Sequence, residues 1–143
     1  MNRVLFSHKS DEWETPQHLF DELNEEFGFV LDVCANKNNH KCAEYFTREN
    51  DGLEQNWHGV TCWCNPPYSN IKDWAKKCSE HTGTVVMLAP AMTDTNWSHE
   101  YCYNKPNVEL RFIKGRLKFG DSKNSAPFPS MIVIFRKEKE DGK

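Results

Sequence analysis

Apolar positions along the chain follow two rhythms. Leu19, Phe20, Leu23 and Phe27 recur at three- and four-residue spacing, the mark of one helical face. Thr15-Pro16 precedes them, Thr as a good N-cap and Pro pre-set for the first turn, and Gly28 stops the helix. Residues 29–35 form a short apolar run broken by one acid, which predicts a buried strand with Asp32 near its C-terminal end. Residues 36–41 are polar and predict a loop, and 44–47 a second short strand. Residues 60–64 predict another strand that ends at Asn65-Pro66-Pro67-Tyr68, because two prolines cannot continue a central strand. A helix is expected from about Ser69, with Ile71, Trp74, Ala75 and Cys78 on one face. Residues 84–89 are the strongest strand signal, closed by Pro90. Residues 95–103 predict a helix, and 131–135 the last strand. Residues 108–113 and 117–119 flank Lys114-Gly115-Arg116, which predicts a hairpin or a bulge.

Strands alternate with helices through the middle and cluster at the end. That order predicts an α/β fold with a mostly parallel sheet and antiparallel C-terminal strands. Ligands in such folds bind beyond the carboxyl ends of the strands. Asp32 and Asn65-Pro66-Pro67-Tyr68 both fall at such ends. A length of 143 residues suits one domain over 1–143, with a charged, frayed tail at 137–143. With 38% hydrophobic residues the chain can build a core, and wholesale disorder is excluded. No apolar run approaches a membrane span, and residues 1–9 do not read as a signal peptide.

Charge and cysteine refine the picture. The net charge of −3 hides an asymmetry: residues 1–60 hold 12 acids and 5 bases, residues 61–143 hold 9 acids and 13 bases. Arg111, Lys114, Arg116, Lys118 and Lys123 stand against Asp121 alone, which reads equally as a basic face or as a solvated strand pair. The six cysteines contain no Cys-x-x-Cys pair and read as reduced, mostly buried thiols. A zinc set of His40, Cys42, Cys62 and Cys64 matches no common ligand spacing, so no metal is assigned.

Asn65-Pro66-Pro67-Tyr68 is the most specific chemical signal. Two prolines stiffen an extended turn and supply no N–H to compete for its carbonyls. The Asn side chain adds an acceptor and Tyr68 a flat ring, a set suited to a planar molecule with an exocyclic amine. The chain resembles S-adenosylmethionine (SAM)-dependent amino-methyltransferases, whose corresponding motif is Asp/Asn/Ser-Pro-Pro-Tyr/Phe/Trp. It is most similar to small phage-encoded DNA N6-adenine methyltransferases. The resemblance runs from Asp11-Glu12-Trp13-Glu14-Thr15-Pro16 through Leu31-Asp32-Val33-Cys34-Ala35, Asn50-Asp51-Gly52-Leu53 and Trp57 to the Asn-Pro-Pro-Tyr turn. It continues through Thr93-Asp94-Thr95-Asn96-Trp97 and Gly115-Arg116-Leu117-Lys118-Phe119 to 130–135.

The resemblance implies a compact Rossmann-like fold and methyl transfer from SAM to N6 of an adenine flipped out of double-stranded DNA. Asn65, Pro66 and Tyr68 would be catalytic: Asn65 Oδ1 and the Pro66 carbonyl accept the amine's hydrogens and Tyr68 stacks on the base. Thr15, Pro16, Asp32, Cys34 and Asp51 would face the cofactor. Pro67, Lys114, Arg116, Lys118, Phe119 and Lys123 would face substrate, with salt-sensitive phosphate contacts; Phe119, Phe128 or Trp97 could wall the base. On residues alone Asp51 reads equally as an Asp-Gly turn. The Gly-rich turn usual after the first strand is absent and the first β-α-β unit is abbreviated, leaving only Glu44 as a guess for the ribose carboxylate. The resemblance further implies a monomer or weak homodimer, with no membrane association, in a bacterial host's cytoplasm and encoded by a phage or prophage. The alternatives are a catalytically silent module binding nucleic acid or a host protein, and methylation of RNA or single strands.

Overall fold

The computed structural model describes residues 14–120 and 123–136. The expected frayed tail, the N-terminal residues 1–9 and Asp11-Glu12-Trp13 lie outside the described residues. Among the described residues there are three α-helices: α1 (Gln17–Phe27), α2 (Ile71–Glu80) and α3 (Asn96–Tyr101). Their six strands are β1 (Leu31–Asp32), β2 (Glu44–Tyr45), β3 (Cys62–Cys64), β4 (Val85–Pro90), β5 (Val108–Phe112) and β6 (Ser130–Phe135). Gly52–Glu54 and Tyr68–Asn70 are single 3-10 turns.

The strands form one sheet in the order β2-β1-β3-β4-β6-β5. From β2 to β4 every pairing is parallel. β6 runs antiparallel to both β4 and β5. β5 therefore points the same way as β4, and the reversed strand sits inside the sheet with β5 at the edge. The chain leaves β1 outward to β2 and then returns to β1's other side as β3. This reversal makes the carboxyl ends of β1 and β3 a topological switch point, where a crevice opens.

Strand alternation divides the core. Cys62, Cys64, Val85, Met87, Ala89, Met131, Val133 and Phe135 face α2 and α3 with Ile71, Trp74, Ala75, Cys78 and Trp97. Trp63, Val86, Leu88, Ile132 and Ile134 face the other side, where α1 lays Phe20 and Leu23. Both sheet faces are covered, so β4 and β6 are buried at every residue.

The structure amends four expectations. The helix cap is Pro16, with no side-chain cap bond, so Thr15 does not cap α1. Gly28 does close it, at φ 68° with its N–H on Asn24 O at 2.8 Å. The 29–35 strand shrinks to two assigned residues, although its backbone bonds run further: Val30 N–H to Thr61 O, Val33 N–H to Trp63 O and Ala35 N–H to Phe46 O. The 108–119 hairpin does not form. The polar ladder of β5 is taken by β6, and the chain turns at Gly115 (φ 77°) so that Leu117 and Phe119 enter the core. Trp97 is likewise core.

No disulfide links the six cysteines, and all but Cys34 are buried. Burial pushes the thiols of Cys42, Cys62 and Cys102 up to about 12, so they stay protonated at neutral pH. Among the described residues no three His, Cys, Asp or Glu side chains are placed to hold a metal. His40 stacks on Tyr45 at 3.9 Å and its Nδ1 meets Cys42 O at 2.7 Å.

Candidate active site

A cleft of about 530 Å³ opens at the switch point. Its floor comes from the carboxyl ends of β1 and β3. Asp32 closes β1 and is 2% exposed. Its carboxylate accepts two backbone N–H groups, from Cys34 at 3.3 Å and Lys41 at 2.9 Å. One side chain thereby ties both ends of the polar loop that replaces a Gly-rich turn. Burial raises the Asp32 pKa to about 6, partly offset by those N–H groups and by the charges of His40 and Lys41. Cys34, Asn36 and Asn39 of this loop line the cleft.

The opposite wall follows β3. Asn65 lies one residue past its end and lines the cleft with Pro67, while Pro66 is buried beneath. Asn65 Nδ2 donates to Thr15 Oγ1 at 3.0 Å across 50 residues of chain. Thr15 is itself 2% exposed. The bond turns the amide nitrogen toward Thr15 and its acceptor oxygen to the other side of the plane. Thr15 therefore orients the asparagine. Pro67 starts the 3-10 turn Tyr68–Asn70 at φ −66°. The Tyr68 ring meets Phe128 edge-on at 5.4 Å, and Phe128 lies 6.1 Å from Phe119. Burial holds the Tyr68 phenol above its usual value, so the ring is neutral.

Of the expected cofactor residues, Thr15, Asp32, Cys34 and Asp51 share this one cleft, and Pro16 does not line it. Asp51 sits in the left-handed region (φ 59°) as the turn residue before Gly52–Glu54, and it also lines the cleft. Glu44 is exposed at the start of β2 and does not line the cleft; the chain just past β2 supplies Thr47 and Arg48 instead. Sequence reasoning missed Lys41, Gly52 and Trp74, which also line it. Position past a strand's carboxyl end was an available signal for Thr47, whereas Lys41 carried none.

Residues 4–143 match the family described as DNA N-6-adenine-methyltransferase (Dam). The chain belongs to this family. It is 31% identical over 140 residues to a "DNA N-6-adenine-methyltransferase" of Haemophilus phage HP1, covering 89% of this chain and 80% of that protein. It is 38% identical over 65 residues to "Putative methyltransferase YfdM" of Escherichia coli (strain K12), covering 41% of this chain and 71% of that one.

The expected DNA-facing residues of this adenine-specific methyltransferase divide in two. Lys114, Arg116, Lys118 and Lys123 are exposed. Because β5 parallels β4, Lys114 and Arg116 emerge at the same end of the sheet as Asn65. Phe119 is 5% exposed and packs in the core, so it can border a base only from beneath Phe128. Arg111 is drawn out of the basic face altogether: it pairs with Glu26 and Glu109 and lies over Phe27.

Proposed function

We propose that this Dam-family methyltransferase takes its methyl group from SAM held in the cleft and delivers it to N6 of an adenine flipped out of duplex DNA. The observation that carries the reading is the Thr15-anchored amide of Asn65 on the same cleft as the buried carboxylate of Asp32. The cleft suits the donor. Its volume lies within the usual range for small-molecule sites. Asp32 and Asp51 offer negative charge to a cationic ligand, while Val33, Leu53 and Trp74 offer apolar walls to a purine. When bound, SAM supplies an electrophilic methyl group on a positively charged sulfur.

The chain's own residues do the rest. The lone pair of adenine N6 is delocalised into the ring, so the amine is a poor nucleophile. Asn65 Oδ1 and the Pro66 carbonyl accept its two hydrogens, drawing the nitrogen toward tetrahedral geometry with the lone pair aimed at the methyl. Tyr68, braced by Phe128, stacks on the base. Lys114, Arg116, Lys118 and Lys123 hold phosphates. We read 1–143 as a single domain acting as a monomer or weak homodimer in the cytoplasm of a phage's bacterial host. The phage HP1 relative supports that setting, and among the described residues no helix is long and apolar enough to cross a membrane. The silent-module alternative is not favoured, because family membership and a formed cleft occur together.

The test is transfer of labelled methyl from SAM to unmethylated duplex DNA, single-stranded DNA and RNA, followed by nucleoside analysis. N6-methyladenine chiefly from duplex is expected. Transfer to RNA alone, or none with any substrate, overturns the reading.

Asp32 adds a pH signature. Burial disfavours its charged form, and a cationic ligand favours it, so binding must release the proton that Asp32 holds below about pH 6. SAM affinity should therefore be flat above about pH 7 and fall roughly tenfold per pH unit below about 6. Titration calorimetry between pH 5 and 8, with the fold checked at each pH, reads this. A flat profile would remove Asp32 from the binding charge.

A further inference from the structure

Lys41 is a buried cation in a wall of acids. Its side chain is 8% exposed, in a loop otherwise built largely from asparagine. Desolvating an ammonium is costly unless something compensates. Here the residue is held at both ends. Its backbone N–H donates to Asp32 Oδ2 at 2.9 Å, and its Nζ donates to Gln17 Oε1 at 2.9 Å on α1. Among the described residues its acid contact is loose: Glu14 Oε2 lies 3.9 Å away on a side chain that is 46% exposed and so well screened. The ammonium thus carries a strong neutral acceptor and no close carboxylate partner among the described residues.

Lys41 also lines the cleft, together with Asp32, Asp51 and Glu14. A methyl donor of the kind proposed ends in an amino acid, with an ammonium and a carboxylate on one carbon. Asp32 suits the ammonium. The carboxylate would be repelled by all three acids and needs a cation beside Asp32. A Gly-rich turn would offer backbone N–H groups there, but residues 32–38 contain no glycine. Among the described residues Arg48 is the cleft's other cation, and it is exposed and sits past β2. Only Lys41 of the two is bonded to Asp32 itself.

We propose that Lys41 is the anchor for the carboxylate of the methyl donor, taking over the task of the absent Gly-rich turn. The inference rests on the reading of the cleft as the SAM site. Asp32 and Lys41 then grip opposite charges of one zwitterion, and the Asp32–Lys41 backbone bond sets their spacing.

The test compares SAM with decarboxylated SAM, which lacks only the carboxylate. Binding is measured by calorimetry on the wild type, Lys41→Gln and Lys41→Arg, with thermal melting alongside. The wild type should prefer SAM by about 10- to 100-fold, the size of one charge-assisted contact. Lys41→Gln should lose the preference for SAM or reverse it, because Asp32, Asp51 and Glu14 then face the carboxylate without that cation, and Lys41→Arg should recover most of the preference. A purely structural lysine would lower both affinities together and leave the ratio intact, which overturns the inference. So does a wild type that binds both ligands equally, although the cleft reading then survives. A wild type that binds neither overturns both. Should Lys41→Gln not fold, the ratio in the wild type and in Lys41→Arg decides.

Discussion

Asn65→Ala is expected to cut methyl transfer by at least about 10²–10³-fold, the scale of losing one preorganised hydrogen-bonding group at a reacting centre. The loss should fall on kcat. In the proposed mechanism Asn65 acts on the adenine amine as it becomes nucleophilic, whereas the cleft proposed for SAM keeps its acids and apolar walls, so SAM affinity should change little. The fold should survive, because the truncation, which removes the bond from Asn65 Nδ2 to Thr15 Oγ1, leaves β3 and its core contacts in place. Losing that bond costs about 1 kcal/mol, a shift of several degrees in Tm at most. Thr15→Val is the graded form of the same experiment: it keeps the acceptor and removes what orients it, so a loss of about tenfold in kcat is expected. Single-turnover rates with duplex DNA, set beside calorimetric SAM binding, separate these effects. Full activity in Asn65→Ala would dismantle the catalytic assignment.

The largest effect on the fold is expected at Gly52. A Cβ there would stand 2.1 Å from Val33 O and 3.0 Å from the Trp74 ring. The closer neighbour is backbone just past β1, which cannot swing aside as a side chain can. Gly52 O also accepts the Trp57 Nε1–H at 2.9 Å, so the turn is pinned from its other side. Gly52→Ala must therefore displace either Gly52–Glu54 or the end of β1. A loss of about 3 kcal/mol is expected, with Tm lower by roughly 10 °C. SAM affinity should fall with it, since Val33, Gly52 and Trp74 all line the cleft. Gly28 is the control. It needs a positive φ at the end of α1, but a methyl group added there would meet nothing within 4 Å, so Gly28→Ala should cost only about 1 kcal/mol. Thermal melts of the two variants decide it. Equal small losses would mean that the close approach at Gly52 relaxes freely.

The elements that could be read in advance are those whose information is local. Leu19, Phe20, Leu23 and Phe27 with Gly28 define α1 from spacing alone, and the apolar runs through 85–89 and 131–135 define β4 and β6. Asn65-Pro66-Pro67-Tyr68 announced both the end of β3 and the chemistry proposed there, because prolines break a ladder wherever they occur. What was misread depends on partners distant in the chain. Residues 108–119 have a hairpin's local pattern, yet β5 pairs with β6, because a strand's hydrogen-bond partner is chosen by the whole sheet. The resemblance sets Phe119 against substrate, and the turn at Gly115 carries it into the core.

The site divides along the same line. Residue type and position past a strand's end were enough to mark Asp32 and Asn65, and the family resemblance marked Asp51. Their working states were not in the sequence. Only packing desolvates Asp32 and raises its pKa to about 6, and only the approach of residue 15 to residue 65 turns the asparagine amide. Only the fold converts Lys41 from a loop lysine into a buried charge at the cleft wall. Periodicity and turn chemistry are properties of neighbours in the chain, so the sequence by itself determined the elements and the chemical cast. Burial, charge state and orientation are set by atoms tens of residues away, and these the tertiary structure alone decided.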